Sequence, residues 1–243
     1  VEALGLGLVG LTVAGPKARA VLAAITDEDM SDAAFPFMAI REMDLGMTPA
    51  IVGRVSYTGD VGYEIWCKPE NQRTLFDKLM EAGEPHGIRL FGGRALNALR
   101  LEKSYGSWAR EYRPIYGPYE AGLGRFVSLT KNADFIGKDA AAREREEGGA
   151  LTLKTFVLEA KDADVIGDEP IWHNGLVKGW VTSGGYAHAS GVSVALGYVP
   201  KDLADAQDGW EIELLGDRLP AQPRSEPLFD PKGAIMRGLV AAE

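Results

Sequence analysis

Glu64 is the side chain whose surroundings point most directly to chemistry, because it is the one acid in the run Tyr63-Glu64-Ile65-Trp66. Placing a carboxylate beside aromatic and aliphatic side chains costs free energy unless a hydrogen-bond donor satisfies it. A carboxylate held in such a place offers two acceptor oxygens to a ligand edge that carries two parallel N–H donors. The spacing alone leaves a second interpretation open, in which Glu64 faces solvent or pairs with an arginine.

Glu64 lies on the second strand of a predicted hairpin. A β-rich run from Pro49 to Tyr57 leads into the turn Thr58-Gly59-Asp60-Val61-Gly62, and a second β-rich run follows. Two such runs around a glycine-punctuated turn predict a hairpin. Because side chains alternate faces along a strand, we expect one face to carry Glu64 and Trp66 and the opposite face to carry Tyr63 and Ile65.

The elements around this hairpin are predicted from apolar periodicity and from Gly and Pro punctuation. Before the hairpin we expect a buried strand, a helix opened by proline and a short strand: Leu6–Val13, Pro16–Ile25 and Arg41–Leu45. After it we expect two helices, a short strand and a charged helix: Pro69–Ala82, Gly92–Lys103, Phe126–Thr130 and Gly137–Glu147.

A connection rich in Tyr, Trp and Arg, Tyr105–Tyr119, follows the second of these helices. Loops that carry aromatic residues often line binding sites. A loop packed over a helix has the same composition, so both interpretations stay open from the sequence.

The sequence pattern changes at Gly148-Gly149, which we predict to be the boundary between two domains, 1–149 and 150–243. Beyond it, short apolar runs at near-regular spacing are separated by Gly and Asp turns, which is typical of a small barrel or sandwich. The predicted strands are 151–159, 170–172, 176–183, 193–199, 211–215 and 218–222, with a final strand after a turn at 229–233. We therefore expect an α+β chain in which antiparallel sheets with flanking helices precede a small C-terminal β-barrel.

Composition narrows the class of partner. The net charge of −9 argues against nucleic acid and anionic membranes, which both attract basic surfaces. No apolar run approaches the roughly 20 residues that span a bilayer, and the apolar start lacks the basic residues of a signal peptide, so we expect a cytoplasmic protein. The lone Cys67 favours a core residue over a nucleophile, and the three histidines lack the spacing of a metal site, so we expect no metal.

The string from Ser56 to Ile65, Ser-Tyr-Thr-Gly-Asp-Val-Gly-Tyr-Glu-Ile, closely resembles the signature of the folate-binding aminomethyltransferases. These include the T-protein of the glycine cleavage system and the C-terminal halves of dimethylglycine and sarcosine dehydrogenases. Further matches follow in the same order along the chain, at residues 91–102, 118–124, 134–138, 181–184 and 195–199. The segments 105–112 and 118–122 resemble the dehydrogenase branch more than the plain T-protein.

This resemblance implies a tetrahydrofolate-dependent aminomethyltransferase or demethylase, which passes a one-carbon unit from an aminomethyl or N-methyl amine to tetrahydrofolate. It implies that Tyr57 and Glu64 contact the folate, with Glu64 as the anchor of the pterin. Arg94 matches a ligand-contacting arginine of the family, although a helix-surface ion pair is its alternative. Tyr105 matches an aromatic residue beside the ligand, and Trp108 stands where the family more often has tyrosine.

The resemblance also bears on what this chain lacks. The general base of the family is an Asp upstream of the segment resembled by Leu8 to Arg19, so we assign no catalytic residue and expect the base before residue 1. No Gly-x-Gly-x-x-Gly fingerprint follows a predicted strand, so we expect no FAD site in this chain.

The expected partners are a small methylamine or aminomethyl donor and a flavin dehydrogenase domain or a lipoyl carrier protein. A non-catalytic folate-binding or regulatory module of a larger flavin dehydrogenase is the alternative function. A protein-interaction domain that has kept only the fold is a third interpretation.

Overall fold

The structure, a computed structural model, describes residues 3–240 of the chain. These residues form two compact units. The first comprises the residues up to Leu96 together with those from Asp230 onward, and the second is Asn97–Phe229. The predicted domain boundary at Gly148-Gly149 stays a prediction.

The first unit is built on a four-stranded antiparallel sheet in the order β1-β4-β3-β2. Its strands are β1 (Val9–Ala14), β2 (Ile40–Leu45), β3 (Thr48–Gly53) and β4 (Gly62–Cys67). Helices α1 (Ala18–Ala23) and α2 (Gln72–Gly83) belong to the same unit, and a 3-10 turn, Pro69–Asn71, precedes α2. One face of the sheet joins these helices in a core that includes Leu22, Val52, Ile65 and Leu75.

The predicted hairpin is confirmed, but its first strand is shorter than predicted. β3 ends at Gly53 rather than at Tyr57, and Gly53 pairs with Glu64. In the connection, the Ser56 hydroxyl accepts a hydrogen bond from the Gly59 N–H at 3.0 Å. Such local side-chain acceptors stabilise a turn in place of the ladder, so the strand cannot continue.

Arg54, the first residue after β3, is almost completely buried. Its Nη1 donates to the carbonyl of Phe35 at 2.7 Å, its Nη2 donates to the carbonyl of Arg237 at 3.0 Å, and its guanidinium pairs with Asp32. Gly238 follows with a positive φ of 75°, and a Cβ there would lie 2.9 Å from an Asp32 carboxylate oxygen. This cluster therefore ties the segment after the barrel to the sheet of the first unit.

Helix α3 (Gly93–Glu102) contains the boundary between the units, and α4 (Lys138–Glu147) lies in the second unit. The barrel of the second unit is closed, with the strand order β10-β5-β8-β7-β6-β9. Its strands are β5 (Leu151–Leu158), β6 (Pro170–His173), β7 (Leu176–Ala187), β8 (Val192–Pro200), β9 (Trp210–Leu214) and β10 (Asp217–Arg224). The predicted α+β class with a small barrel is confirmed.

Two predicted strands are wrong. Residues 126–130 do not form a strand, because a 3-10 turn at Gly124–Phe126 satisfies the backbone locally, with the Val127 N–H bonded to the Gly124 carbonyl at 3.1 Å. No strand follows the turn at residues 229–233 within the described part of the chain. There the Asp230 carboxylate accepts a hydrogen bond from the Ala234 N–H at 2.7 Å, which holds the chain in further turns.

A buried carboxylate, Glu111, holds the connection after α3 against the barrel strands of the second unit. Its Oε1 accepts a 2.5 Å hydrogen bond from the Ser183 hydroxyl of β7, and its Oε2 lies 3.3 Å from Nη1 of Arg100. The Ser107 N–H also donates to Oε2, at 2.8 Å, and the Tyr198 hydroxyl of β8 donates to the Glu111 carbonyl at 2.7 Å. Every oxygen of Glu111 thus has a donor, which compensates for its complete burial.

Among residues 3–240, no helix combines the length and the apolar composition needed to cross a bilayer.

The Asp32 cluster predicts a specific loss of stability in acid. Burial acts to raise the pKa of Asp32, but hydrogen bonds and charge from Arg19 and Arg54 outweigh it and hold that pKa below its usual value. The unfolded chain therefore takes up this proton at a higher pH than the folded chain. The stabilisation is present above about pH 4, the ordinary range of Asp, and is lost as the pH falls through the folded pKa.

We expect Asp32→Asn to lose less unfolding free energy than the wild type between pH 7 and pH 3, measured by urea denaturation. Asp44→Asn is the control, since Asp44 is exposed on β2 and has no ion pair among the described residues. An unchanged pH dependence in Asp32→Asn would contradict the prediction.

The Glu111 network predicts two graded destabilisations. Glu111→Gln leaves the buried Arg100 guanidinium without its counter-charge, so we expect a loss of about 3 kcal/mol in unfolding free energy. Ser183→Ala removes one hydrogen bond to a charged group, so we expect a smaller loss of about 1.5 kcal/mol. Glu146→Gln, on the exposed surface of α4, is the matched control in the same urea titration. Equal stability of all three variants would show that the network contributes nothing.

Candidate functional site

The open face of the first unit's sheet carries Glu64. On β4, Tyr63 and Ile65 are fully buried in the core, whereas Glu64 and Trp66 are half-buried on the opposite face. The predicted alternation is therefore confirmed. Thr12 of β1 and Gly53 of β3 lie directly across from Glu64.

The Glu64 carboxylate has no hydrogen bond or ion pair within residues 3–240. The arginine pairing that the sequence left open is thus not seen in the described part of the chain. The side chain is also not free in water, since it is half-buried. A half-buried carboxylate with two vacant acceptor oxygens is suited to bind a ligand edge that carries N–H donors.

Tyr57 lies in the connection between β3 and β4 rather than on a strand, and it is half-buried. The predicted extension of the strand to Tyr57 is therefore wrong, and contact of Tyr57 with a ligand stays a prediction. The connection itself is ordered, because hydroxyl groups within it accept backbone N–H bonds, including one of 3.4 Å from Asp60 to Thr58.

Arg94 lies in the first turn of α3 and is exposed. No ion pair involves it among the described residues, so the helix-surface pair that the sequence left open is not seen there. Its guanidinium is available to an anionic group of a ligand.

Tyr105 and Trp108 belong to the connection that Glu111 holds in the second unit. Tyr105 is half-buried, with the Lys103 ammonium 5.9 Å from its ring centroid. Trp108 is 85% exposed and makes an edge contact with Tyr112 at 6.2 Å between ring centroids. This connection therefore displays one large aromatic side chain on a well-anchored backbone.

The predicted site residues are divided between the two units. Tyr57, Glu64 and Arg94 belong to the first unit, and Tyr105 and Trp108 belong to the second. Their assignment to a common ligand site stays a prediction.

Sequence reasoning missed the side chains that position these segments, above all Arg54, Arg100 and Glu111. Arg54 lies within the predicted β-rich run from Pro49 to Tyr57, and nothing in that run indicates its buried partners. Glu111 carried one signal, because it is an acid in a segment with several arginines. Cys67 was predicted correctly: it is buried, and burial raises the pKa of its thiol, which disfavours a nucleophilic role.

Comparison with known proteins agrees with the sequence motifs over most of the chain. The family model of the GCVT N-terminal domain matches residues 2–131, and that of the glycine cleavage T-protein C-terminal barrel domain matches residues 152–230. The second match covers most of the closed barrel. The resemblance stated from the sequence is thereby confirmed.

Individual relatives show the same relationship. Human mitochondrial dimethylglycine dehydrogenase is 43% identical over 223 residues, which cover 92% of this chain and 26% of that protein. An aminomethyltransferase from Geobacillus sp. (strain WCH70) is 32% identical over 219 residues, which cover 90% of this chain and 60% of that protein.

Among solved structures, the crystal structure of the glycine cleavage system aminomethyltransferase T from Bartonella henselae superposes with a TM-score of 0.79 at 27% identity. The superposition covers 92% of this chain and 60% of that one. The chain thus spans only part of the length of each of these relatives. It belongs to the glycine cleavage T-protein family of aminomethyltransferases.

Proposed function

We propose that this chain binds reduced folate and serves the transfer of a one-carbon unit from an aminomethyl or N-methyl amine to tetrahydrofolate. The observation that carries the proposal is the half-buried carboxylate of Glu64 on the open face of the sheet, which has no hydrogen bond or ion pair among the residues that the structure describes. The family to which the chain belongs supports the same reaction class.

The chemistry of a reduced pterin complements Glu64. Its exocyclic amine and its adjacent ring N–H form two parallel donors, and a carboxylate offers the two acceptors that match them. A charge-assisted bidentate contact of this kind is among the stronger hydrogen-bonding arrangements. In the proposed complex, Glu64 fixes the orientation of the pterin and therefore the direction in which N5 points.

The other predicted residues have secondary roles in this proposal. Arg94, which is exposed and has no ion pair among the described residues, holds the anionic tail of the folate. Tyr57, Tyr105 and Trp108 supply aromatic surface beside the ligand. Each of these assignments stays a prediction from the family motif.

In the transfer step, N5 of the folate attacks an electrophilic methylene carbon of the donor, and a new N5–C bond forms while N5 gives up its proton. The bond from that carbon to the donor nitrogen breaks, and its electron pair leaves with the amine, which takes up a proton. Such a reaction depends mainly on proximity and on one general base. The residues of this chain bind and orient the folate, and none of them is assigned as the base. The similarity to dimethylglycine dehydrogenase favours an N-methyl amine as donor and a flavin dehydrogenase as the partner that oxidises it. A cytoplasmic location stays a prediction, since the human relative is mitochondrial by name.

Titration with 5-formyltetrahydrofolate, followed by tryptophan fluorescence, tests the proposal. We expect saturable binding to the wild-type chain. We expect Glu64→Gln to weaken it about 100-fold, which corresponds to about 2.7 kcal/mol, because the amide replaces one acceptor by a donor that opposes the pterin N–H.

The matched control is Glu42→Gln, which removes an exposed carboxylate from β2 of the same sheet. We expect it to bind 5-formyltetrahydrofolate like the wild type. A wild-type chain that is indifferent to folate would end the proposal. Binding without turnover, even when an upstream segment and an amine dehydrogenase are added, would support the non-catalytic module instead.

A further inference from the structure

Trp66 lies across the open face of the sheet rather than standing away from it. A Cβ placed on Gly10 of β1 would lie 3.5 Å from Cδ1 and 3.6 Å from Nε1 of the indole. A Cβ placed on Gly53 of β3 would lie 3.2 Å from Cζ3 and 3.3 Å from Cη2. The five-membered ring therefore reaches β1 and the six-membered ring reaches β3, so the indole spans the central strand β4.

Gly53 makes room for the ring, because a Cβ there would lie in tight contact with it, whereas a Cβ on Gly10 would lie in ordinary van der Waals contact. The six-membered ring lies beside Gly53, which is the direct partner of Glu64 in the β3–β4 ladder. Since residues two apart on a strand share a face and are separated by about 7 Å, the indole and the Glu64 carboxylate are neighbours on one surface.

The indole N–H of Trp66 differs from that of three other tryptophans of the chain. Trp172, Trp180 and Trp210 each donate this N–H to a protein acceptor. Trp66 makes no such bond within residues 3–240, and its neighbours on the same face include Ile51 and the exposed Ile40. No hydrogen bond from the indole N–H to residues 3–240 therefore fixes the orientation of the ring.

We infer that Trp66 is the platform on which the pterin ring stacks while Glu64 binds its two-donor edge. This inference rests on the proposed function and assigns a new specificity-determining residue to the same site. A ligand that makes both contacts needs a flat ring face for the indole of Trp66 and N–H donors along one edge for the Glu64 carboxylate. The surface thus selects a pterin over the flexible tail of the folate or an acyclic amine.

Equilibrium dialysis with 5-formyltetrahydrofolate tests the inference, since it does not depend on tryptophan fluorescence. We expect Trp66→Leu to lose about 10- to 100-fold in affinity, because aromatic stacking is lost while the side chain stays apolar. Trp66→Phe keeps a flat ring, so we expect it to recover most of that loss. Phe126→Leu, which removes an exposed aromatic ring from the second unit, is the control and binds like the wild type.

A second measurement separates stacking from a loss of folding. In NMR spectra of the bound ligand, the protons of the pterin ring shift upfield when they lie against an indole, and we expect this shift with the wild type and not with Trp66→Leu. Only variants that urea unfolding shows to be folded are included in this comparison.

The outcomes distinguish this inference from the proposed function. If Glu64→Gln loses affinity while Trp66→Leu binds like the wild type and keeps the upfield shift, the role of Trp66 as a stacking platform is rejected. The folate site at Glu64 is then still supported. If the wild type binds no folate, the proposed function fails and the platform fails with it. Loss of affinity and of the upfield shift in Trp66→Leu, with recovery in Trp66→Phe, supports the platform.

Discussion

The burial of Tyr63 and Ile65 in the core of the first unit determines the direction of every side chain of β4. Each buried aromatic or aliphatic side chain of this size contributes about 1.5–3 kcal/mol. A slip of one residue in register would exchange the two faces and bury the Glu64 carboxylate without a donor. The buried face of β4 therefore fixes the orientation of the opposite face, which carries Glu64. The candidate site thus depends on the hydrophobic core behind it.

Much of this architecture could be predicted because its signals are local in the sequence. Alternation along β4 predicted which face carries Glu64, and glycine-separated apolar runs predicted the barrel strands β5 to β10 within a few residues at each end. The helix α2 was predicted from its proline start and its apolar spacing, and Leu75 and Leu79 are indeed buried. For these elements, the local sequence pattern is sufficient to predict the secondary structure.

The features that sequence reasoning missed depend on partners far along the chain. Arg54, the residue after β3, is buried because it meets Asp32 and the carbonyl of Arg237, and no local pattern announces those partners. Glu111 is likewise buried because Ser183 reaches it from β7. Charged residues with distant partners look like surface residues in a sequence. The same reasoning applies to Glu64, whose lack of a partner among residues 3–240 is visible only in the folded structure.

The bond from Arg54 to Arg237 also constrains how the chain is made. Because the whole second unit lies between these residues, the nascent polypeptide leaves the ribosome with Arg54 long before its acceptor is synthesised. Until then the guanidinium has only Phe35 and Asp32 to receive its hydrogen bonds. The sheet that carries Glu64 is thus translated before the barrel, but its hydrogen bond to Arg237 can form only after the barrel segment has been synthesised.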